Sequence, residues 1–192
     1  VVPFSDSSIV CAEPIAYQWR KRDNYITRYC ALMGLNDPLV YFVGNYDRQN
    51  VLDGKWTRSK VAVEKKKGYL KVKALESPIP TIGANGFLAR KKALRKFLKE
   101  DYFVDVDAAA ELVSGGKAFF AKVEISIVHL YTGNFSTFLR KQKRRIMDFL
   151  YYSRLTRKRN SVSIPFSSIL YFAIFSILVF PLFLQAVSGY VK

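Results

Sequence analysis

Apolar positions recur along the chain with two different periods, and the changes of period mark out its elements. In "DNYITRYCALM", residues 23–33, Tyr25, Ile26, Tyr29, Cys30 and Met33 fall at helical spacing, and Gly34 is placed to stop the helix. The very basic stretch "ARKKALRKFLKE" predicts a second helix. From Phe119 the period becomes two. Phe119, Ala121, Val123, Ile125, Ile127 and His129 share the face expected to meet the core, while Lys122, Glu124 and Ser126 share the other. His129, the only histidine, ends that core-facing row. A helical period returns from about Phe135, where Phe135, Phe138, Leu139, Ile146, Phe149 and Leu150 form one apolar stripe. Arg140, Lys141, Lys143 and Arg144 lie outside it, whereas Gln142 falls in its middle and Arg145 at its edge. A helix meant only for lipid would carry apolar side chains there, so Gln142 and Arg145 are expected to face the protein. The alternation of helix and strand signals, without repeats or low-complexity linkers, predicts an α/β or α+β chain.

The end of the chain changes this picture. Residues 164–187, "IPFSSILYFAIFSILVFPLFLQAV", carry no charge over a length sufficient to span a bilayer as a helix. They predict a transmembrane helix, with Pro181 near its far end. Arg154, Arg157, Lys158 and Arg159 precede it, and cations flanking a span favour the cytoplasmic side, so the expected location is integral to a membrane with the large N-terminal part in the cytoplasm.

Composition narrows the partners. The 192 residues include 31 Lys+Arg against 15 Asp+Glu, a formal charge of +16, which calls for an anionic partner: nucleic acid, phospholipid headgroups or a phosphorylated substrate. The cations are scattered without groove-sized aromatic interleaving, which argues against nucleic acid. Lys141, Lys143 and Arg144 are assigned to headgroups, at about 1 kcal/mol each near an anionic surface. The hydrophobic share of 50% can supply a core. Cys11 and Cys30 sit in apolar surroundings without metal-ligand spacing and read as buried free thiols.

The order of several short motifs resembles the C-terminal half of membrane-associated family 2 glycosyltransferases. These are "PTIGANGFLARKKAL", then "YFVDVDAAAELVSGG", then a strand ending in His129, then "QKRRI"; "RYCALMGLNDPLVYFVGNYDR" and "GKWT" look like the middle of prokaryotic members. The resemblance implies a partial mixed-sheet nucleotide-sugar domain of the GT-A type, followed by an amphipathic interfacial helix and a transmembrane helix. The implied organisation is a catalytic half over residues 1–133, a basic interfacial helix over 134–160 and a span over 164–187. It further implies transfer of a sugar from a nucleotide-sugar donor to a lipid-phosphate or glycan acceptor, with a divalent cation, Mg²⁺ or Mn²⁺, as cofactor. Because the family's first half has no counterpart here, the chain is expected to be the C-terminal portion of a longer protein and to be inactive alone.

Residue by residue, Asp105 matches the aspartate of the family's Glu-Asp motif, with Val104 in place of the glutamate. The resemblance makes it the general base for the acceptor hydroxyl, a task suited to a carboxylate ionised at neutral pH. Asp107 is a rival base, and both acids also suit an ordinary helix N-terminus before "AAAELV". Reading "DVD" as a metal motif is disfavoured, because a basic helix and no long apolar strand precedes it. "QKRRI" matches the family's Q-x-x-R-W motif at Gln142 and Arg145, with Ile146 where Trp is usual, and implies a pair that orients the diphosphate leaving group. His129 resembles a late metal ligand, or is a hydrogen-bonded structural residue. Gly83, Asn85 and Gly86 of "GANGF" form a loop that permits close backbone approach to an acceptor, or an ordinary turn. An attacking base without a covalent nucleophile implies inversion. A different class of function stays open: a non-catalytic, basic, membrane-anchored domain that binds anionic lipid or nucleic acid.

Overall fold

The structure is a computed structural model that describes residues 2–36, 38–44, 46, 48–75, 79–83, 85–95, 97, 105–114, 118–155, 166–178, 183–184 and 187. After a short 3₁₀ turn at Val2–Ser5, the order is β1 (Ile9–Gln18), α1 (Tyr25–Met33), α2 (Pro38–Val43), β2 (Val61–Lys66), β3 (Tyr69–Ala74), β4 (Leu88–Ala89), α3 (Lys91–Leu94), α4 (Asp105–Val113), β5 (Phe119–Val128), α5 (Phe135–Leu155) and α6 (Phe166–Ile177). The five strands make one sheet in the order β2-β3-β5-β1-β4. β1 and β5 run parallel at its centre, and the other pairs are antiparallel.

The central pair is buried on both faces, as a parallel pair covered by neighbouring elements must be. On one face Cys11, Val72 and Phe120 pack with Trp56, Ile82 and the α4 residues Ala109 and Val113. On the other, Ile9, Ala12, Tyr69 and Ala121 form a smaller cluster against Phe4. Both cysteines are buried and free.

This two-sided burial corrects the expected face of β5. Lys122 is fully buried beside Phe120 and Ala121, while Ile125, placed by its period on the core face, is half exposed. For Lys122 the reason is that both faces are covered, and for Ile125 it is a register shift. Pro14 pairs with Val123 but Ala16 with Ser126, so two steps of β1 match three of β5, and the alternation changes phase between them.

Two helices follow their sequence signals closely. Asn24 caps α1 by accepting from Thr27 N, and Gly34 ends it at φ +64. Glycine suits that position because it carries no Cβ to strain in the left-handed region. α5 begins at Phe135, with Asn134 accepting from Thr137 N. Of the basic helix expected over residues 89–100, only Lys91–Leu94 is helical among the described residues, and residues 96 and 98–100 lie outside them.

The expected architecture of a partial GT-A domain with an interfacial and a transmembrane helix is not what the chain adopts. The fold is mixed α/β, with a five-strand sheet and, among the described residues, six helices, none long and apolar enough to cross a membrane. Within the apolar stretch, the described helix α6 has 12 residues. Residues 164–165, 179–182 and 185–186 of the expected span lie outside the described residues. α6 packs on α2: Phe42 meets Phe172 and Phe175 edge-on at 5.7 and 5.3 Å, and Ser168 Oγ donates to Phe42 O at 3.0 Å. Nor is α5 a free interfacial helix, since Phe138, Lys141, Gln142 and Arg145 dock it on Tyr131.

Candidate functional site

β1 and β5 are parallel, so their C-terminal ends open on the same side of the sheet, the side on which ligands of open α/β sheets usually sit. Tyr17 stands near the end of β1, and His129 follows the last residue of β5. Their rings lie 5.4 Å apart. Tyr131, two residues further on, is buried and meets His129 at 5.7 Å and Phe138 of α5 at 6.0 Å, both edge-on.

Tyr131 is the point at which α5 is fastened. Lys141 Nζ lies 4.4 Å from the centre of its ring and donates to its backbone carbonyl. The Arg145 guanidinium lies 5.5 Å from the same ring. Gln142 Nε2 faces the Tyr131 hydroxyl at 3.3 Å and donates to Asn36 O at 2.8 Å. Gln142 and Arg145 thus turn to the protein, but with Lys141 from outside the apolar stripe, while the stripe residues Phe135, Leu139 and Ile146 are exposed.

The loop at 83–86 approaches from the other side. Asn85 Nδ2 lies 3.3 Å from His129 Nδ1. Gly83 N donates to Glu13 Oε2 at 3.1 Å, and Arg48 Nη2 donates to Asn85 O at 2.6 Å. Gly86 has φ +79, and a Cβ there would come within 3.1 Å of Pro14 and Ile127, so glycine lets this loop lie against β1 and β5.

Beneath the loop is a buried ionic group. Glu13 meets Arg48 Nη1 at 3.1 Å and Lys122 Nζ at 2.5 Å, with all three side chains excluded from water. Arg48 lies 5.2 Å from the Tyr17 ring, and Lys122 4.7 Å from that of Trp56. One carboxylate against two cations leaves the neighbourhood positive. Burial lowers the pKa of His129 below the usual histidine value, and Lys141, Arg145 and Arg48 push it the same way, so the ring is neutral at pH 7.

Of the residues singled out from sequence, Gly83, Asn85, Gly86, His129, Gln142 and Arg145 are therefore drawn to one end of the sheet. Asp105 and Asp107 open α4, but their side chains lie outside the described residues. Sequence reasoning missed Glu13, Arg48, Lys122 and Tyr131. A glutamate inside the apolar run "IVCAEPIAY" was the available signal, since a buried carboxylate requires a cationic partner.

The donor set around His129 does not suit a divalent cation. Its Nδ1 faces an amide, its charged neighbours Lys141, Arg145 and Arg48 are all positive, and no group of three His, Cys, Asp or Glu capable of holding a metal occurs among the described residues. The same arrangement suits an anion. No family model, curated protein or solved structure matches the chain.

Proposed function

We propose that this chain takes part in sugar transfer from a nucleotide-sugar donor to a hydroxyl of a glycan or lipid-linked acceptor, with inversion. The observation that carries this reading is convergence: Asn85 and Arg48, distant in sequence, gather with His129, Tyr131, Gln142 and Arg145 at the C-terminal end of the parallel strands. Arg145, and Lys141 beside it, supply the charge that stabilises a departing diphosphate, and a neutral His129 accepts or donates a hydrogen bond without opposing it. In this reading Asp105 removes the acceptor proton as the hydroxyl attacks the anomeric carbon, and the diphosphate leaves from the opposite face. No step is assigned to a metal, because the described donors do not suit one.

The competing reading is a non-catalytic binder of anionic lipid. It is favoured by α5, where Phe135, Leu139, Ile146 and Met147 are exposed along with Arg140, Lys143 and Arg144. Titration with inorganic pyrophosphate separates the two. Sugar transfer requires that pyrophosphate shift the His129 resonances, compete with a nucleoside diphosphate, and bind about tenfold or more weakly to Arg145→Ala, the loss expected for a charge-assisted hydrogen bond. Binding to anionic vesicles with no response of His129 to pyrophosphate would overturn it.

A further inference from the structure

Arg48 has no exposed surface, although an apolar side chain of similar size would fill its space without the cost of desolvating a charge. Its contacts indicate what the charge is for. Nη1 is held by Glu13 at 3.1 Å, and Nη2 reaches the backbone carbonyl of Asn85 at 2.6 Å. Its guanidinium also faces the ring of Tyr17 at 5.2 Å. Asn85 and Tyr17 are two of the groups that touch His129, one at Nδ1 and one on the ring face. A single buried guanidinium thus backs both.

The backbone is arranged to deliver it. Arg48 N donates to Gly34 O at 2.8 Å, and a Cβ at Gly34 would stand 2.2 Å from Arg48 O, closer than any side chain allows. The end of α1 and the Arg48 segment can approach this closely only because residue 34 is glycine.

We propose that Arg48 is a positioning residue: anchored by Glu13, it fixes the loop that carries Asn85, and through Asn85 it holds His129 in the tautomer with the proton on Nε2 and Nδ1 accepting. The geometry requires the fork of arginine. Two nitrogens of one planar group make the separate bonds to Glu13 and to the Asn85 carbonyl, which the single nitrogen of lysine does not reproduce. The site would then present an N–H, and not a lone pair, on the Nε2 side of the ring. This inference rests on the His129 cluster being the functional site, but its test does not require turnover.

Because the chain has one histidine, long-range ¹H–¹⁵N correlation spectra report its tautomer without assignment ambiguity. The wild-type protein is expected to hold the Nε2–H form in about tenfold excess, the ratio that one hydrogen bond supports. In Arg48→Lys the excess should fall to the ratio shown by the denatured chain while the amide spectrum stays that of a folded protein. Should that variant fail to fold, Asn85→Ala carries the test, since Asn85 is exposed, and it should release the tautomer in the same way. Asn85→Asp should invert the preference, because a carboxylate accepts from Nδ1–H. An Nδ1–H tautomer in the wild type, or a ratio unchanged in folded Arg48→Lys and in Asn85→Ala, would overturn the proposal. Pyrophosphate separates this from the functional reading: a tautomer that follows Arg48 in a site indifferent to pyrophosphate supports positioning and removes sugar transfer, and the converse result does the opposite.

Discussion

Glu13 and Lys122 are register partners on the two central parallel strands, and their side chains meet at 2.5 Å with no exposure to water. Arg48 closes on the same carboxylate from the neighbouring loop. Removal of the shared anion would strand two buried cations, whereas removal of either cation would leave a neutral pair.

The first prediction follows from this asymmetry. Glu13→Gln should lose about 3–5 kcal/mol of stability, the usual result of breaking a buried ion pair. Lys122→Met, which leaves the Glu13–Arg48 pair, should cost less. Urea denaturation of both variants checks the order, and a Lys122→Met protein less stable than Glu13→Gln would contradict it.

His129 gives a prediction in pH. Its pKa is lowered in the folded chain, by burial first and then by Lys141, Arg145 and Arg48, so the unfolded chain takes up the proton more readily. Its effect on stability is therefore nil above about pH 6.5, the ordinary histidine value, and becomes a growing penalty as pH falls below it. The difference in melting temperature between wild type and His129→Gln should change as pH falls from about 7 to 5, in favour of the variant. A difference that is flat over that range would show that the ring titrates normally.

Gly34→Ala tests the approach of α1 to Arg48. The residue has φ +64, and the added Cβ would meet backbone atoms of Arg48 and Gln49. Strain of the left-handed region alone is worth about 1–2 kcal/mol, and the clash adds to it. Thermal melts should show at least that loss, and the His129 resonances should shift although residue 34 does not touch the ring.

A catalytic prediction concerns the start of α4. In a form of the protein that turns over a nucleotide sugar, Asp105→Asn should lower the rate of transfer by about 10²–10⁴ without weakening pyrophosphate binding. Full loss in Asp107→Asn with an active Asp105→Asn would move the base to Asp107. Parental rates in both would remove the base from this helix.

Local signals made parts of this architecture legible. Gly34 stops α1 where the spacing places it, and Gln142, polar within an apolar stripe, does meet Tyr131 and Asn36, although the stripe residues Phe135, Leu139 and Ile146 around it face outward. The loop of Gly83, Asn85 and Gly86 could be picked out by residue type, and its neighbour His129 by being alone. The ionic group beneath them could not. Lys122 reads as a solvent-facing residue until a second layer covers its face, and Arg48 lies in a stretch without periodicity. The apolar stretch misled for a related reason: hydropathy reports that Phe172 and Phe175 avoid water, but not that Phe42 is what they pack against.

The parallel pairing of β1 with β5 has a consequence for biosynthesis. Glu13 and Lys122 are 109 positions apart, and at ~5–20 residues per second β1 leaves the ribosome about 5–20 s before the strand that completes it. Throughout that interval one central edge of β1 lacks its neighbour, and Glu13 has at most Arg48 to neutralise it. Strand pairing over such a separation closes slowly even once the chain is complete. Translation speed through residues 50–118 therefore bears on the yield of folded protein, and a chaperone that shields the apolar edge of β1 during those seconds would act on the step where nascent chains are most exposed to aggregation.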